Sequence, residues 1–187
     1  FKIQHGFGTY NAAISALLSS SLNLPIFVSG ETLFNTKSPA IVTGIPRTGK
    51  TTSIRKILSQ IDGSILVVDP HNEYGNDDLA KPNLERITEL QIYSIDWNVE
   101  KRLRFIPSSI MALKPAVRTL FDRLNTEREM LSDWVIVVDE AHTFANITLV
   151  RKFIIECGKY TRKIIIISTD AKLYEGLGVI LKVGDYR

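Results

Sequence analysis

The chain has 187 residues, 44% hydrophobic and 23% charged, which is the make-up of an ordinary globular domain with room for one sizeable core and not for two full ones. A net charge of +3 and a pI near 9.0 describe a weakly basic surface, compatible with nucleic acid but not diagnostic of it. A single cysteine excludes an internal disulfide, three histidines beside it give no zinc-ligand spacing, and no run reaches the roughly 18 apolar residues of a membrane span.

Residues 11–22 read as a helix and Ile26-Phe27-Val28 as a short strand, and residues 1–39 together read as an N-terminal extension with no chemical motif. The apolar stretch Ala12 to Leu24 is broken by serines and Asn23 and lacks a basic flank and a cleavage site, so it is not read as a signal peptide. Ala40-Ile41-Val42-Thr43 is the first core strand. Ile54, Ile57, Leu58 and Ile61 then recur at helical spacing, in a helix expected to end by Gly63. Ser64 to Asp69 is a second buried strand, stopped by Pro70.

After the polar stretch His71 to Asn83, Leu90 to Ile95 alternates as a strand does, and Leu103 to Ile106 reads as a shorter one. Leu113, Val117, Leu120, Phe121, Leu124 and Leu131 share a helical face, which predicts a helix after Pro115 with a solvated, charged outer side. Trp134 to Val138 is a central strand ending in Asp139 and Glu140. Leu149, Val150, Phe153, Ile154 and Cys157 mark a helix that Gly158 can terminate, with Cys157 in the core. Lys163 to Asp170 and Gly178 to Val183 are the last strands. Strands alternating with helices imply an α/β fold with a mostly parallel central sheet flanked by helices.

Between the first core strand and its helix lies Gly44-Ile45-Pro46-Arg47-Thr48-Gly49-Lys50-Thr51, which fits the phosphate-binding P-loop, with Thr52 following. Glycines let the chain curl so that backbone N–H groups face a phosphate, Lys50 reaches the β- and γ-phosphates, and the Thr51 hydroxyl holds Mg²⁺. ATP with Mg²⁺ is the expected ligand. Asp139 supplies the carboxylate that holds Mg²⁺ opposite Thr51, and Glu140, where the strand opens into a loop, is placed to polarise a water for attack on the γ-phosphate. Thr169 and Asp170 end the strand expected beside it, where a residue sensing hydrolysis or a plain strand-ending turn would both fit. His142 reads as a local hydrogen-bonding residue.

Several of these stretches resemble the HerA/FtsK superfamily of P-loop motors, which includes DNA-pumping helicases and viral genome-packaging ATPases. Val68-Asp69-Pro70-His71-Asn72-Glu73-Tyr74 is similar to that family's second-strand motif, with Asn72 in place of glycine. Val138-Asp139-Glu140-Ala141-His142-Thr143-Phe144 is similar to its Walker B segment. Glu156 to Tyr160 and Ile164 to Thr169 are similar to the helix, turn and strand before its polar sensor, where Asp170 stands in place of the usual glutamine.

The resemblance covers about residues 40–185. It implies a RecA-like ASCE P-loop NTPase and an ATPase that translocates double-stranded DNA as a homo-oligomeric ring, expected to be hexameric. A neighbour's arginine would complete each site, with Arg162 the first candidate and Arg151 the second, and Thr169 would be the sensor. HerA-type proteins usually carry an additional N-terminal barrel and a longer C-terminal part. The chain has room for neither, so the expectation is a packaging-type motor with a capsid or nuclease partner, in the cytoplasm or with the virion. The alternatives are a HerA-type translocase in DNA processing, a nucleotide-dependent assembly switch, and a small-molecule kinase. Glu140 counts against the switch, and the absence of an arginine-rich lid counts against the kinase.

Overall fold

The computed structural model describes residues 28–75, 83–144 and 147–183, so the helix expected over residues 11–22 and all but Val28 of the first expected strand lie outside the described residues. Val28 itself lies in irregular chain before α1 (Gly30–Phe34). The Ser29 hydroxyl caps α1 by accepting from the Thr32 N–H at 3.1 Å.

Seven strands build the core: β1 (Ala40–Thr43), β2 (Ile65–Val68), β3 (Glu85–Ile87), β4 (Arg102–Phe105), β5 (Val135–Val138), β6 (Lys163–Ser168) and β7 (Val179–Lys182). They form one sheet in the order β3-β4-β2-β5-β6-β1-β7, and every pairing is parallel. This is the fold of an α/β, RecA-like P-loop NTPase. β6 is inserted between β1, which leads into the P-loop, and β5, which ends in the two acids.

Strands buried on both faces need apolar residues at every position, and all four residues of β1, β2 and β5 are buried. One face packs Ala40, Val42, Val67 and Val137 against Leu33 of α1 and Ile54 and Leu58 of α2 (Lys50–Leu58). The other packs Ile41, Leu66, Val138 and Ile166 against α3 (Ile110–Thr126) and α5 (Ile147–Cys157), whose Phe121 and Phe153 rings stack with centroids 4.4 Å apart. A short helix, α4 (Ala141–Phe144), follows the acids directly. No helix among the described residues is long and apolar enough to cross a membrane.

Four expectations need correction. The stretch Leu90 to Ile95 is not a strand but part of a 3-10 helix, Glu89–Ser94, opened by a reciprocal bond pair between Thr88 and Gln91. Its apolar residues segregate by threes: Ile92 and Ile95 are buried while Leu90 and Tyr93 are 87% and 72% exposed. The strand in this region is β3, which is only three residues long and has one buried position, Ile87.

The helix expected after Pro115 begins earlier, at Ile110, because the Ser109 hydroxyl caps it by accepting from the Ala112 N–H at 3.2 Å. Pro115 sits inside α3 and has no N–H to offer the Met111 carbonyl. Leu131 is buried, but beyond α3 and a further 3-10 turn, Arg128–Met130. Helix α5 does end before Gly158, though not through a left-handed glycine. A Cβ at Gly158 would come within 2.5 Å of the Ile154 carbonyl oxygen, so the position requires glycine for close approach.

Candidate active site

Parallel strands deliver their C-terminal ends to one edge, and the turns leaving β1, β2, β5 and β6 meet there. The turn after β1 is residues 44–49. At Gly44 a Cβ would lie 2.2 Å from the Val183 carbonyl oxygen, and Gly49, with φ 86°, is the N-cap of α2 with no side-chain cap bond. The first amides of α2 are therefore left for a ligand, and an anion is what they and the helix dipole favour. Ile45, Pro46 and Arg47 form the exposed crest, Arg47 in the left-handed region with φ 66°, and the Thr48 hydroxyl donates to the Ile45 carbonyl at 2.9 Å. Thr52 is exposed on the first turn of α2.

Lys50 is only 5% exposed, and its ammonium donates to the carbonyls of Gly44 at 2.8 Å and Ile45 at 2.9 Å. Burial lowers its pKa from the ordinary lysine value, opposed by the charges of Glu140, Asp139 and Glu73. The amine is thus parked on its own loop, within the concave side where phosphates would lie.

The Thr51 hydroxyl donates to Asp139 Oδ2 at 3.1 Å, which joins the first turn of α2 to β5's end across the intervening β6. Asp139 is 2% exposed, and its pKa is pushed up to about 7, chiefly by burial; the Thr51 bond opposes the rise and the neighbouring Glu140 charge adds to it. A buried carboxylate with a hydroxyl beside it and no cationic side chain bonded to it among the described residues suits a divalent cation. No group of three His, Cys, Asp or Glu residues among the described residues could hold a metal by itself. Thr51 and Asp139 fit Mg²⁺ in the manner of a site completed by phosphate oxygens and water.

Glu140 follows in a left-handed conformation, φ 49°, unusual for a residue with a Cβ, and its amide is fixed by donating to Asp139 Oδ1 at 2.8 Å. This turn swings the carboxylate out of the strand direction. Glu140 Oε2 comes 3.3 Å from His142 Nε2, and that nitrogen is also 3.1 Å from the Thr169 hydroxyl. The Ser168 hydroxyl, at the fully buried end of β6, is 3.4 Å from His142 Nδ1.

The turn after β2 closes the fourth side. Asp69 accepts the N–H groups of Glu73 at 2.8 Å and Tyr74 at 3.0 Å, folding the segment back on itself. Its carboxyl is raised by burial, with those two bonds and Arg104 opposing. Asn72 has φ 56° and accepts from Arg104 Nη1 at 2.9 Å, so the residue standing where the resembled motif has glycine occupies a left-handed position, which asparagine tolerates better than most. Tyr74 is buried, and burial together with the nearby Asp139 and Asp69 carboxylates holds its hydroxyl well above the usual phenol range.

The structure therefore gathers Lys50, Thr51, Asp139, Glu140 and Thr169 at one edge. Asp170 makes a local turn, accepting the Lys172 N–H at 3.0 Å. Arg162 lies at the other end of β6, some six residues or about 20 Å along the strand. There its guanidinium donates to the Asp62 carbonyl at 2.6 Å and lies over the Phe34 ring. Arg151 donates to the Leu173 carbonyl at 3.0 Å. Neither arginine meets its own chain's site. Ser168 was not singled out from sequence; the only signal it offered was a hydroxyl residue closing a run of isoleucines.

A family model described as an AAA domain matches residues 34–169, a span that contains the P-loop, both acids and Thr169. No curated protein matches the chain.

Proposed function

The chain belongs to the AAA domain family of P-loop ATPases, and on that premise we propose that it is a nucleotide-hydrolysing motor that moves double-stranded DNA, of the genome-packaging kind within the HerA/FtsK group. The observation that carries this finer reading is the turn from Asp69 to Tyr74. It reproduces the resembled second-strand motif residue by residue apart from Asn72, and Asn72 sits in the left-handed geometry that the motif's glycine would favour.

In this reading the P-loop amides and Lys50 bind the triphosphate of ATP, and Lys50 exchanges two backbone carbonyls for phosphate oxygens. Thr51 and Asp139 hold Mg²⁺, which neutralises phosphate charge when bound. Glu140 accepts a proton from the attacking water, and Thr169 contacts the terminal phosphate from the end of β6.

Subunits would form a ring, with an arginine from one completing the site of the next. Because Arg162 is on the sheet edge opposite the P-loop, its use requires a head-to-tail interface that lays one subunit's N-terminal edge against its neighbour's C-terminal edge. Arg162→Ala mixed with Lys50→Ala should then regain activity in trans; no recovery at any ratio moves the assignment to Arg151.

The deciding measurement is steady-state ATP hydrolysis with and without linear double-stranded DNA, with Glu140→Gln as the blank. Stimulation by duplex is expected. ATPase activity indifferent to duplex, single strand and RNA would leave the ATPase standing and remove the DNA motor.

A further inference from the structure

The edge of the sheet away from the nucleotide carries two clefts of opposite charge. The first, about 760 Å³, lies among the segments that enter β1, β6 and β7 and the C-terminal end of α5. Lys37, Lys159 and Arg162 line it, all three exposed, and no carboxylate is among its described lining residues. The second is lined by Asp62, Glu100, Glu129 and Asp133, and the two clefts meet at Ser132 and Arg162. An anion approaching this edge is drawn to one side and repelled from the other.

The fold holds the cations of the first cleft in place. Buried Lys163 fastens the carbonyls of Thr36 and Ser38, so the chain on both sides of Lys37 is fixed while its own side chain stays exposed. Arg162 spends one N–H on the Asp62 carbonyl, and a guanidinium has four more to offer. The Lys159 ammonium and the Arg128 guanidinium lie 5.0 Å and 5.2 Å from the centre of the Tyr160 ring. Carbonyls at the end of α5 do not claim these cations: that of Ile154 accepts from the Gly158 N–H at 2.9 Å, and that of Cys157 from the N–H groups of Tyr160 at 2.9 Å and Thr161 at 3.2 Å. The Thr161 hydroxyl, on a residue that lines the cleft, is buried and has no hydrogen-bond partner among the described residues.

We propose that this cleft binds the phosphodiester backbone of DNA, with Lys37, Lys159 and Arg162 against its phosphates and the Thr161 hydroxyl donating to one of them. The proposal rests on the reading of the protein as a DNA motor and adds where the duplex is held. Cations from three separate segments along an open cleft suit a chain of charges better than one small anion. Ile155, 64% exposed, and Pro39 and Leu177 supply apolar lining for the sugars. Contacts to phosphate carry no sequence information, which is what a motor moving along any sequence requires.

The test is fluorescence anisotropy of the nucleotide-free full chain with labelled linear duplexes of unrelated sequence, between about 50 and 200 mM salt. Lys37→Ala and Lys159→Ala are compared with Lys114→Ala and Lys152→Ala, which make the same charge change in a groove between α3 and α5. Arg162 is left unaltered, since the trans assignment also uses it. Each cleft variant should bind every duplex about tenfold more weakly near 0.1 M salt and lower the salt slope by about one, while the comparison variants bind as the parent does. ATP turnover without DNA should be unchanged in the cleft variants, and its stimulation by duplex reduced.

Cleft variants that bind as the parent does, or comparison variants that lose as much, would overturn the proposal. So would DNA-free turnover falling in step with duplex binding, because the cleft would then serve the phosphates of a neighbour's nucleotide. A parent that binds no duplex removes the DNA motor and the cleft together. A parent that binds duplex beside unaffected cleft variants removes the cleft alone.

Discussion

At both edges of the sheet, buried or half-buried cations donate to backbone carbonyls, and the two edges use that one interaction for opposite ends. At the N-terminal edge Arg102 reaches the carbonyls of Leu58 at 2.6 Å and Ile61 at 2.8 Å, where α2 ends, and Lys163 reaches those of Thr36 at 2.7 Å and Ser38 at 2.5 Å. These bonds tie distant stretches of chain to the sheet, and carbonyls at a helix end have no partner of their own. At the C-terminal edge Lys50 holds carbonyls of its own loop, so letting go unfastens nothing else. Left-handed backbone at Arg47, Asn72 and Glu140 is also found on this edge. The contrast teaches that a buried lysine is structural or functional according to what its carbonyls belong to, not according to its burial, which is 2% exposed for Lys163 and 5% for Lys50.

Matched substitutions at the two lysines are the sharpest way to break that contrast. Lys50→Met should lower ATP affinity by about 10²-fold or more, the scale of a charged hydrogen-bonding group, while the thermal midpoint stays at or above the parent's because a desolvated amine has been removed. Titration calorimetry beside a melting curve reads both. On the same edge Glu140→Gln should retain Mg-ATP but turn over roughly 10²-fold more slowly, the usual scale for a lost general base; parent-rate hydrolysis would place the base elsewhere.

Asp139 supplies the pH test. Its pKa in the folded protein is raised to about 7 from 3.8, so folding takes up a proton between those values, and without Mg²⁺ stability is greatest at low pH and is lost as pH rises through about 7. Asp139→Asn mimics the protonated form. At pH 8 in chelator it should be more stable than the parent by up to roughly 4 kcal/mol, and near pH 4 the two should melt together. A variant less stable than the parent at pH 8 would mean the carboxylate is already compensated.

Lys163→Met should behave as the reverse of Lys50→Met. Losing both carbonyl bonds should cost about 2 kcal/mol of stability, read from denaturant unfolding, with ATP affinity unchanged. Affinity falling as far as it does in Lys50→Met would erase the distinction between the edges. The smallest effect is expected at Asn72: its φ of 56° should make Asn72→Ala cost about 1 kcal/mol, and Asn72→Gly should differ from the parent by only a few tenths.

Elements of strong and uniform character could be read directly from the chain. Buried parallel strands such as Val135–Val138 and Lys163–Ser168 announce themselves as apolar runs, and the P-loop motif between a strand and an amphipathic helix located Lys50 and Thr51. Leu90 to Ile95 misled because residues two apart and three apart both alternate in so short a stretch, and only packing chose Ile92 and Ile95 for the core. β3 escaped notice because an edge strand with one buried residue carries almost no pattern. His142 and Ser168 lie 26 positions apart, and no local rule could place them side by side; that took the pairing of β5 with β6. The position of Arg162 was legible in principle, since it precedes β6 and the start of a parallel strand must lie on the edge away from the ligands.

The strand order also acts as a ruler. Neighbouring strands are about 4.8 Å apart, so with β6 between them β1 and β5 stand roughly twice that distance apart, about 9.6 Å. That spacing holds the loop after β1 and the Glu140 turn apart, and Ser168 and Thr169 at the end of β6 stand at the middle of the width between them. The sheet thereby sets the separation of the two turns that carry the site before any side chain is chosen.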